Sequence, residues 1–195
     1  MSLRPTIDKA GRFPVVQAPC PFQHNLTIDL SAPPAGILHT TEGGWPGSLG
    51  VFKQHWAPHF LVGLNGYGKA EIAQLMPIGF TGLACEAHNN KARVEIEMIG
   101  FSKPTLWLPD PETLDALASL MLACRDVWGI PLAHPWPDGD FGRAGDNPHR
   151  HAGKLGTFSG WLGHGDMPLP DQHWDPGALQ WSKVFERAEA LAAVA

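Results

Sequence analysis

The chain has no apolar run of roughly 18 residues, the length a membrane-spanning helix needs. Its N-terminus has no uninterrupted apolar stretch either, because Arg4, Asp8, Lys9 and Arg12 break it up. No secretory signal peptide is therefore expected, and synthesis in the cytoplasm is. Cysteine is sparse and odd in number: Cys20, Cys85 and Cys124, with no Cys-x-x-Cys spacing. That excludes a disulfide framework and fits free buried thiols in a reducing compartment. Positive charge is also in short supply. Fourteen Lys and Arg against nineteen Asp and Glu leave a net charge of −5, so the chain has no electrostatic footprint for nucleic acid. No internal repeat is visible, and 195 residues leave room for one domain rather than two.

A hydrophobic fraction of 44% and a charged fraction of 17% fit a globular protein with a sizeable core. Glycine (22) and proline (19) are plentiful, which predicts long loops. Residues 1–35 are punctuated by proline and read as an N-terminal arm, with one short strand near Asn25–Leu30. Gly36–Thr41 reads as a buried strand. Ser48–Trp56 reads as a short helix capped by Ser48 and ended by Pro58. His59–Leu64 and Ala70–Leu75 read as two strands joined at Asn65–Lys69, a hairpin signal. Gly63-x4-Gly68-Lys69 imitates a phosphate loop. The next residue is Ala70, so the magnesium-binding hydroxyl is missing, and the context is strand–turn–strand. Nucleotide binding is excluded on both counts.

Phe80–Asn90 reads as a loop and Arg93–Ile99 as a β-branched strand. Glu95 and Glu97 on that strand share a face; such pairs usually mark a solvated one. Asp110–Val127 reads as the clearest helix, with Asp110 as its cap and Pro111 in the first helical position. Leu114, Leu117, Ala118, Met121, Cys124 and Val127 line its apolar face. His134–Gly160 is a long loop, which in a compact domain is usually functional or disordered; because it leads directly into His164, it is expected to border the substrate cleft. Its Pro-His-Arg-His run at 148–151 hints weakly at a second metal site, against a plain solvent-exposed reading. A last helix is expected from Pro176, with Trp181, Val184, Phe185, Ala188 and Leu191 as its core stripe.

The densest chemistry lies in Gly163–Trp181, which bunches two histidines and three aspartates ahead of a helix. A zinc ion with an open position commonly takes three protein ligands from His, Asp, Glu or Cys. His164 and Asp175 are the first candidates. His39, inside the Gly36–Thr41 strand, is the best third, although a lone strand histidine is more often a core residue. The zinc-protease signature His-Glu-x-x-His is absent.

His39 in its apolar strand, Glu97 in Val-Glu-Ile-Glu-Met, and His164 with Asp175 in Gly-His-Gly-Asp…Trp-Asp-Pro-Gly resemble the type 2 N-acetylmuramoyl-L-alanine amidases. The resemblance runs from about Gly36 to Trp181. It implies an α/β single domain, with a central mixed β-sheet flanked by helices as in peptidoglycan recognition proteins. It also implies a zinc ion held by His39, His164 and Asp175, with Glu97 as the catalytic base. Glu95 falls where that pattern often has glycine. The implied reaction is hydrolysis of the amide between N-acetylmuramic acid and the L-alanine of the stem peptide, with peptidoglycan or a soluble muropeptide as substrate. The alternative within the same fold is a non-catalytic peptidoglycan-binding module. Many relatives place lysine two residues before the last ligand, where this chain has His173, so His173 is expected to serve the oxyanion. Lysozyme-type phage members have tyrosine before a His-aromatic pair, where this chain has Pro58 before His59 and Phe60. With no signal peptide, reaching a cell wall would require lysis or a dedicated exporter. The sequence leaves the oligomeric state open.

Overall fold

The computed structural model describes residues 5–21 and 27–194. In chain order the elements are β1 (Lys9–Ala10), β2 (Phe13–Gln17), β3 (Ala35–Thr40), α1 (Trp45–Phe52), β4 (Phe60–Leu64), β5 (Ala70–Gln74), β6 (Val94–Met98), β7 (Lys103–Trp107), α2 (Pro111–Trp128), α3 (Pro148–His151), β8 (Gly160–Gly163), β9 (Gly177–Leu179) and α4 (Trp181–Ala192). Seven strands form one mixed sheet in the order β1-β2-β5-β4-β6-β3-β8, and β7 pairs with β9 in a small second sheet. The architecture is the expected α/β one, a mixed sheet with helices against it. No helix among the described residues is long and apolar enough to cross a membrane.

β3 lies one strand in from the sheet's edge, between β6 and the edge strand β8, and pairs in parallel with both. A strand covered on both faces should be apolar throughout, and all six residues of β3 are buried. Side chains alternate between faces. Leu38, Ile96, Val94, Phe60 and Trp161 join Leu117, Leu120 and Met121 of α2 and Val184 of α4 in the largest apolar cluster. Removing a side chain of this size from water stabilises the fold by roughly 1.5–3 kcal/mol. The opposite face carries the polar residues. In the parallel register Ile37 lies beside Glu95 and His39 beside Glu97, which puts a histidine and two glutamates on the side away from α2 and α4.

Helix α2 forms where its signals place it. Asp110 accepts hydrogen bonds from the Glu112 and Thr113 amides at 3.1 and 3.0 Å, and Gly129 ends the helix in the left-handed region at φ 72°. Such a cap is worth about 1 kcal/mol. Arg187 of α4 forks onto Asp115 of α2 at 2.5 and 2.8 Å and ties the helices together. Leu117, Ala118, Met121 and Cys124 are buried, while Leu114 and Val127 are half-buried. The three cysteines are free and buried, and the β4–β5 hairpin pairs antiparallel as read.

Four elements differ from the sequence reading. The N-terminal arm is partly sheet: β2 pairs in parallel with β5 and extends the sheet at that edge. Of the strand expected at Asn25–Leu30, residues 25 and 26 lie outside the described residues, and Thr27 makes only an isolated bridge to Phe80. Helix α1 is capped at Gly44, four residues before Ser48, and ends at Phe52 rather than running to Trp56 ahead of Pro58. Its Pro46 fits the first turn, where no amide donor is needed, and the Ser48 hydroxyl donates back to the Gly44 carbonyl. The segment after Pro176 first runs as β9, pairing with β7, and only then becomes α4. The strand β7 has four exposed positions of five, so its pattern carried no alternation to read.

Candidate metal centre and cleft

Three side chains meet at the edge of β3. His39 comes from the strand itself. His164 follows β8 directly, in a single 3₁₀ turn. Asp175 stands before β9, and its carbonyl accepts the His164 amide at 2.8 Å. The Thr40 amide donates to Asp175 Oδ2 at 3.3 Å. The His39 and His164 Nδ1 atoms are 3.0 Å apart. Asp175 reaches His39 Nδ1 at 3.3 Å and His164 Nδ1 at 3.2 Å. All three residues are buried.

Each histidine's other nitrogen has its own partner. His164 Nε2 lies 2.6 Å from Asp171 Oδ2, and His39 Nε2 lies 3.4 Å from Cys85 Sγ. With Nε2–H donated outward on both rings, both Nδ1 atoms turn to Asp175. Burial pushes the His164 pKa down, but the Asp175 and Asp171 carboxylates outweigh it and hold it at about 10. Burial, with the neighbouring His164, holds His39 below its ordinary value. Burial alone would raise Asp175, yet His164 and His39 hold it low. One imidazolium proton therefore binds these groups together when nothing else does.

His39, Cys85 and His164 form a buried group that could hold a metal ion. The donor geometry separates its members. Cys85 contacts the Nε2 side of His39, whereas His164 and Asp175 contact the Nδ1 side. An ion among the Nδ1 atoms would have Cys85 behind the ring, in the position of an outer partner. Two imidazole nitrogens 3.0 Å apart, each within 3.3 Å of a different oxygen of one carboxylate, suit a borderline cation such as zinc.

A cleft of about 900 Å³ opens over this cluster, lined among others by Glu42, Trp56, Glu97, His164, His173 and Asp175. Glu97 is 8% exposed, and its Oε2 has no hydrogen-bond partner among the described residues. Burial first, and Asp175 next, push its carboxyl well above the usual carboxylate range. Glu95 is fully buried instead. Its Oε2 accepts the Ala84 amide at 2.9 Å, and Gly82 presses so closely that a Cβ there would collide with the carboxyl. Burial lifts its pKa to about 8. The paired glutamates are thus not on a solvated face: loop 82–85 covers one and the cleft admits the other.

His173 stacks on His164 with ring centroids 4.4 Å apart and an 18° interplanar angle. Its Nδ1 lies 3.1 Å from Asp171 Oδ1, which raises its pKa against the effect of burial. His59 lies away from the cleft. Its Nε2 donates to the Phe80 carbonyl, its Nδ1 accepts the Glu95 amide, and burial depresses its pKa to about 4. Glu42 and Trp56 are the described non-glycine residues with left-handed backbones, at φ 49° and 47°, and both border the cleft. Glu42 is secured by the Thr40 hydroxyl at 2.8 Å and the Ser102 amide at 2.9 Å.

The long 134–160 segment takes a different place from the one its length suggested. None of the described residues lining the cleft comes from it. It packs behind the ligand-bearing loop. His149 sits between Asp166 at 2.8 Å and Asp140 at 2.9 Å. The Arg150 guanidinium donates to the Gly145, Met167 and His173 carbonyls. Gly142 and Gly165 approach so closely that neither has room for a Cβ. His149 is buried in this network, not solvent-exposed, and it is held by carboxylates rather than grouped as a second metal site; His151 is exposed and pairs with Asp146 at 2.5 Å.

Sequence reading singled out five site residues: His39, Glu97, His164, His173 and Asp175. Glu97, His164, His173 and Asp175 line one cleft, and His39 lies buried behind it, 3.0 Å from His164. Sequence reading missed Cys85 and Asp171. Asp171 could have been found, since it belongs to the same acidic, histidine-bearing stretch. A lone cysteine in a loop carried no signal.

No family model and no curated protein matches the sequence. Solved structures do match. The hydrolase AmiA of Staphylococcus aureus superposes with a TM-score of 0.63 over 99% of this chain and 96% of its own, at 10% identity. The endolysin N-acetylmuramoyl-L-alanine amidase LysCS of Clostridium intestinale gives 0.58 over 92% and 98%, at 13% identity. The Drosophila peptidoglycan recognition protein SD gives 0.52 over 87% and 92%, at 19% identity. The chain has the fold shared by N-acetylmuramoyl-L-alanine amidases and peptidoglycan recognition proteins.

Proposed function

We propose that this protein is a zinc-dependent N-acetylmuramoyl-L-alanine amidase that cleaves the lactyl–L-alanine amide of peptidoglycan or a soluble muropeptide. The observation that carries this reading is the convergence of His39 Nδ1, His164 Nδ1 and Asp175, with contacts of 3.0–3.3 Å, beside a Glu97 oxygen without a hydrogen-bond partner among the described residues, in an open cleft. His39, His164 and Asp175 would hold the metal in place of the His164 proton, since metal binding releases protons from its ligands. Bound zinc lowers the pKa of water to about 7 and polarises a carbonyl.

The chain's own residues do the rest. Glu97 takes the proton from the attacking water as its oxygen bonds to the amide carbon. It then delivers that proton to the leaving nitrogen as the carbon–nitrogen bond breaks. A nearby cation favours the ionised form of Glu97 and makes it available as a base. His173, held at the cleft through its Nδ1 by Asp171, donates a hydrogen bond from Nε2 to the oxyanion in its imidazolium form. The parallel pairing of β3 with β6 sets His39 beside Glu97 in register.

Incubating the zinc-loaded protein with purified sacculi, and separately with soluble anhydromuropeptide, tests this. Free stem peptide beginning at L-alanine is expected, and the faster substrate identifies the natural one. Binding to sacculi without release of peptide would make the chain a recognition module. Absence of bound zinc at stoichiometric supply would remove the metal reading.

A further inference from the structure

Asp171 is fully buried, yet it is no part of the three-donor cluster. Its two oxygens serve two different histidines. Oδ2 lies 2.6 Å from His164 Nε2. Oδ1 lies 3.1 Å from His173 Nδ1 and accepts the His173 amide at 3.0 Å. The two rings are stacked nearly parallel, 4.4 Å between centroids. A carboxylate only accepts hydrogen bonds, so both ring nitrogens facing it must carry protons. We propose that Asp171 is a positioning residue that fixes the tautomer and the plane of His164 and His173 at the same time. This inference rests on the zinc reading of the site.

Two consequences follow from the acceptor-only character of the carboxylate. With Nε2–H committed to Asp171, His164 keeps its Nδ1 lone pair toward His39 and Asp175, as a metal ligand requires. With Nδ1–H committed to the other oxygen, His173 can donate from Nε2 at the cleft it lines only as the imidazolium, the form that the Asp171 contact favours. One buried group therefore sets both a ligand and an oxyanion donor. The partner of His39 is a thiol, a weak acceptor. Only the His164 side of the centre is held by charge.

Asparagine at this position discriminates well. It keeps the shape but offers one acceptor and one NH₂ donor, so one of the two histidines must face a donor and surrender its proton there. In Asp171→Asn, zinc affinity measured by competition with a chromophoric chelator should fall roughly 10–100-fold, and Asp171→Glu should recover part of it. Turnover of Asp171→Asn should stay low at saturating zinc, because His173 is released as well. Side-chain ¹H–¹⁵N spectra of the zinc-loaded wild type should show protons on His164 Nε2 and His173 Nδ1. That measurement stands even if the variant does not fold. Unchanged zinc affinity in Asp171→Asn, or a His173 proton on Nε2 with Nδ1 bare, overturns the proposal. Two zinc ions per wild-type chain, one of them lost in Asp171→Asn, also overturns it, since His164, Asp171 and His173 would then be a metal site. A wild-type chain that binds no zinc sinks the underlying reading of the centre, a result distinct from a wild type that binds zinc normally and a variant that does too.

Discussion

Glu95 and Glu97 stand on the same face of β6, two positions apart, and live in different surroundings. Glu95 lies under loop 82–85, its carboxyl against Gly82 and its Oε2 taken by the Ala84 amide. Glu97 reaches the cleft wall beside His164 and Asp175; each glutamate leaves one oxygen without a hydrogen-bond partner among the described residues, but only Glu97 borders the cleft. Both carboxyls are raised by burial, so a shifted pKa alone does not separate a catalytic carboxyl from a structural one. Access and neighbours do. The cleft end of the face holds a carboxyl that a substrate or water can reach. The covered end holds a carboxyl that the fold must keep neutral.

The largest effect should come from the cluster that defines the cleft end. His39→Ala or Asp175→Ala removes one of three proposed ligands. If about 10–16 kcal/mol of zinc binding is shared among the ligands, one of them carries several kcal/mol, roughly 10³-fold in affinity. Metal analysis after dialysis should find both variants largely empty, and full occupancy in both would reassign the centre. Glu97→Gln comes next. It should keep zinc and lose about 10²–10⁴-fold in turnover, whereas Glu95→Gln should hydrolyse at close to the wild-type rate. The reverse pattern would exchange the roles of the two ends.

His173 sharpens the comparison from the cleft side. His173→Ala should retain zinc and lose about 10²–10³-fold in turnover, as for an oxyanion donor. A histidine titrates near 6.5 when unperturbed, and here the Asp171 hydrogen bond raises that value. If the cationic form acts, activity falls towards alkaline pH, and His173→Lys restores it there. An unchanged rate in His173→Ala would leave this residue a bystander.

Glu95 should show itself in stability rather than rate. Its pKa is 4.5 unperturbed and about 8 in the folded chain. Between these values the unfolded chain has released its proton while the folded chain keeps it. The unfolded state binds fewer protons there, so folding stability falls as pH rises from about 4.5 to 8 and levels off above. A shift of this size carries on the order of a few kcal/mol. Thermal melts of the metal-free protein across this range should show the decline, and Glu95→Gln should flatten it. Parallel slopes in the two proteins would mean that Glu95 is not buried as a neutral acid.

Much of this was legible in the sequence, for reasons that particular residues make plain. Helix α2 was readable because Asp110, Pro111 and a 3.6-residue apolar stripe agree. His39 was readable as a candidate only together with Glu97, His164 and Asp175, because a lone histidine in an apolar strand is more often core. What escaped were contacts made across long sequence separations. Cys85 reaches His39 over 46 positions, and no local pattern encodes that. The buried state of Glu95 depends on Gly82 of another segment, so alternation on β6 predicted a shared face but not what covers it. The 134–160 segment misled by its length. Its anchoring residues His149 and Arg150 look like surface residues by type, and they are buried by carboxylates and carbonyls that composition does not reveal.

The smallest effect on catalysis should come from that segment, which supports the cleft end from behind. His149 bridges Asp166 and Asp140, and Asp166 in turn accepts the Gly163 amide at 2.9 Å, one residue before His164. Burial lowers the His149 pKa, but the two carboxylates outweigh it and raise the net value above 6.5. Its contribution to stability is therefore full below about 6.5 and is lost as pH rises through the raised value. His149→Ala leaves the buried Asp166 oxygen without its donor, at a cost of about 1–3 kcal/mol. In a chain of this length that lowers the melting temperature by roughly 2–4 °C per kcal/mol. The deficit should be largest at mildly acidic pH and shrink on the alkaline side. At a temperature where both proteins are folded, kcat and KM should stay within about twofold, since none of the described cleft-lining residues belongs to 134–160. A large change in KM with an unchanged melting temperature would place the segment at the substrate after all, and would undo the distinction between the cleft wall and its support.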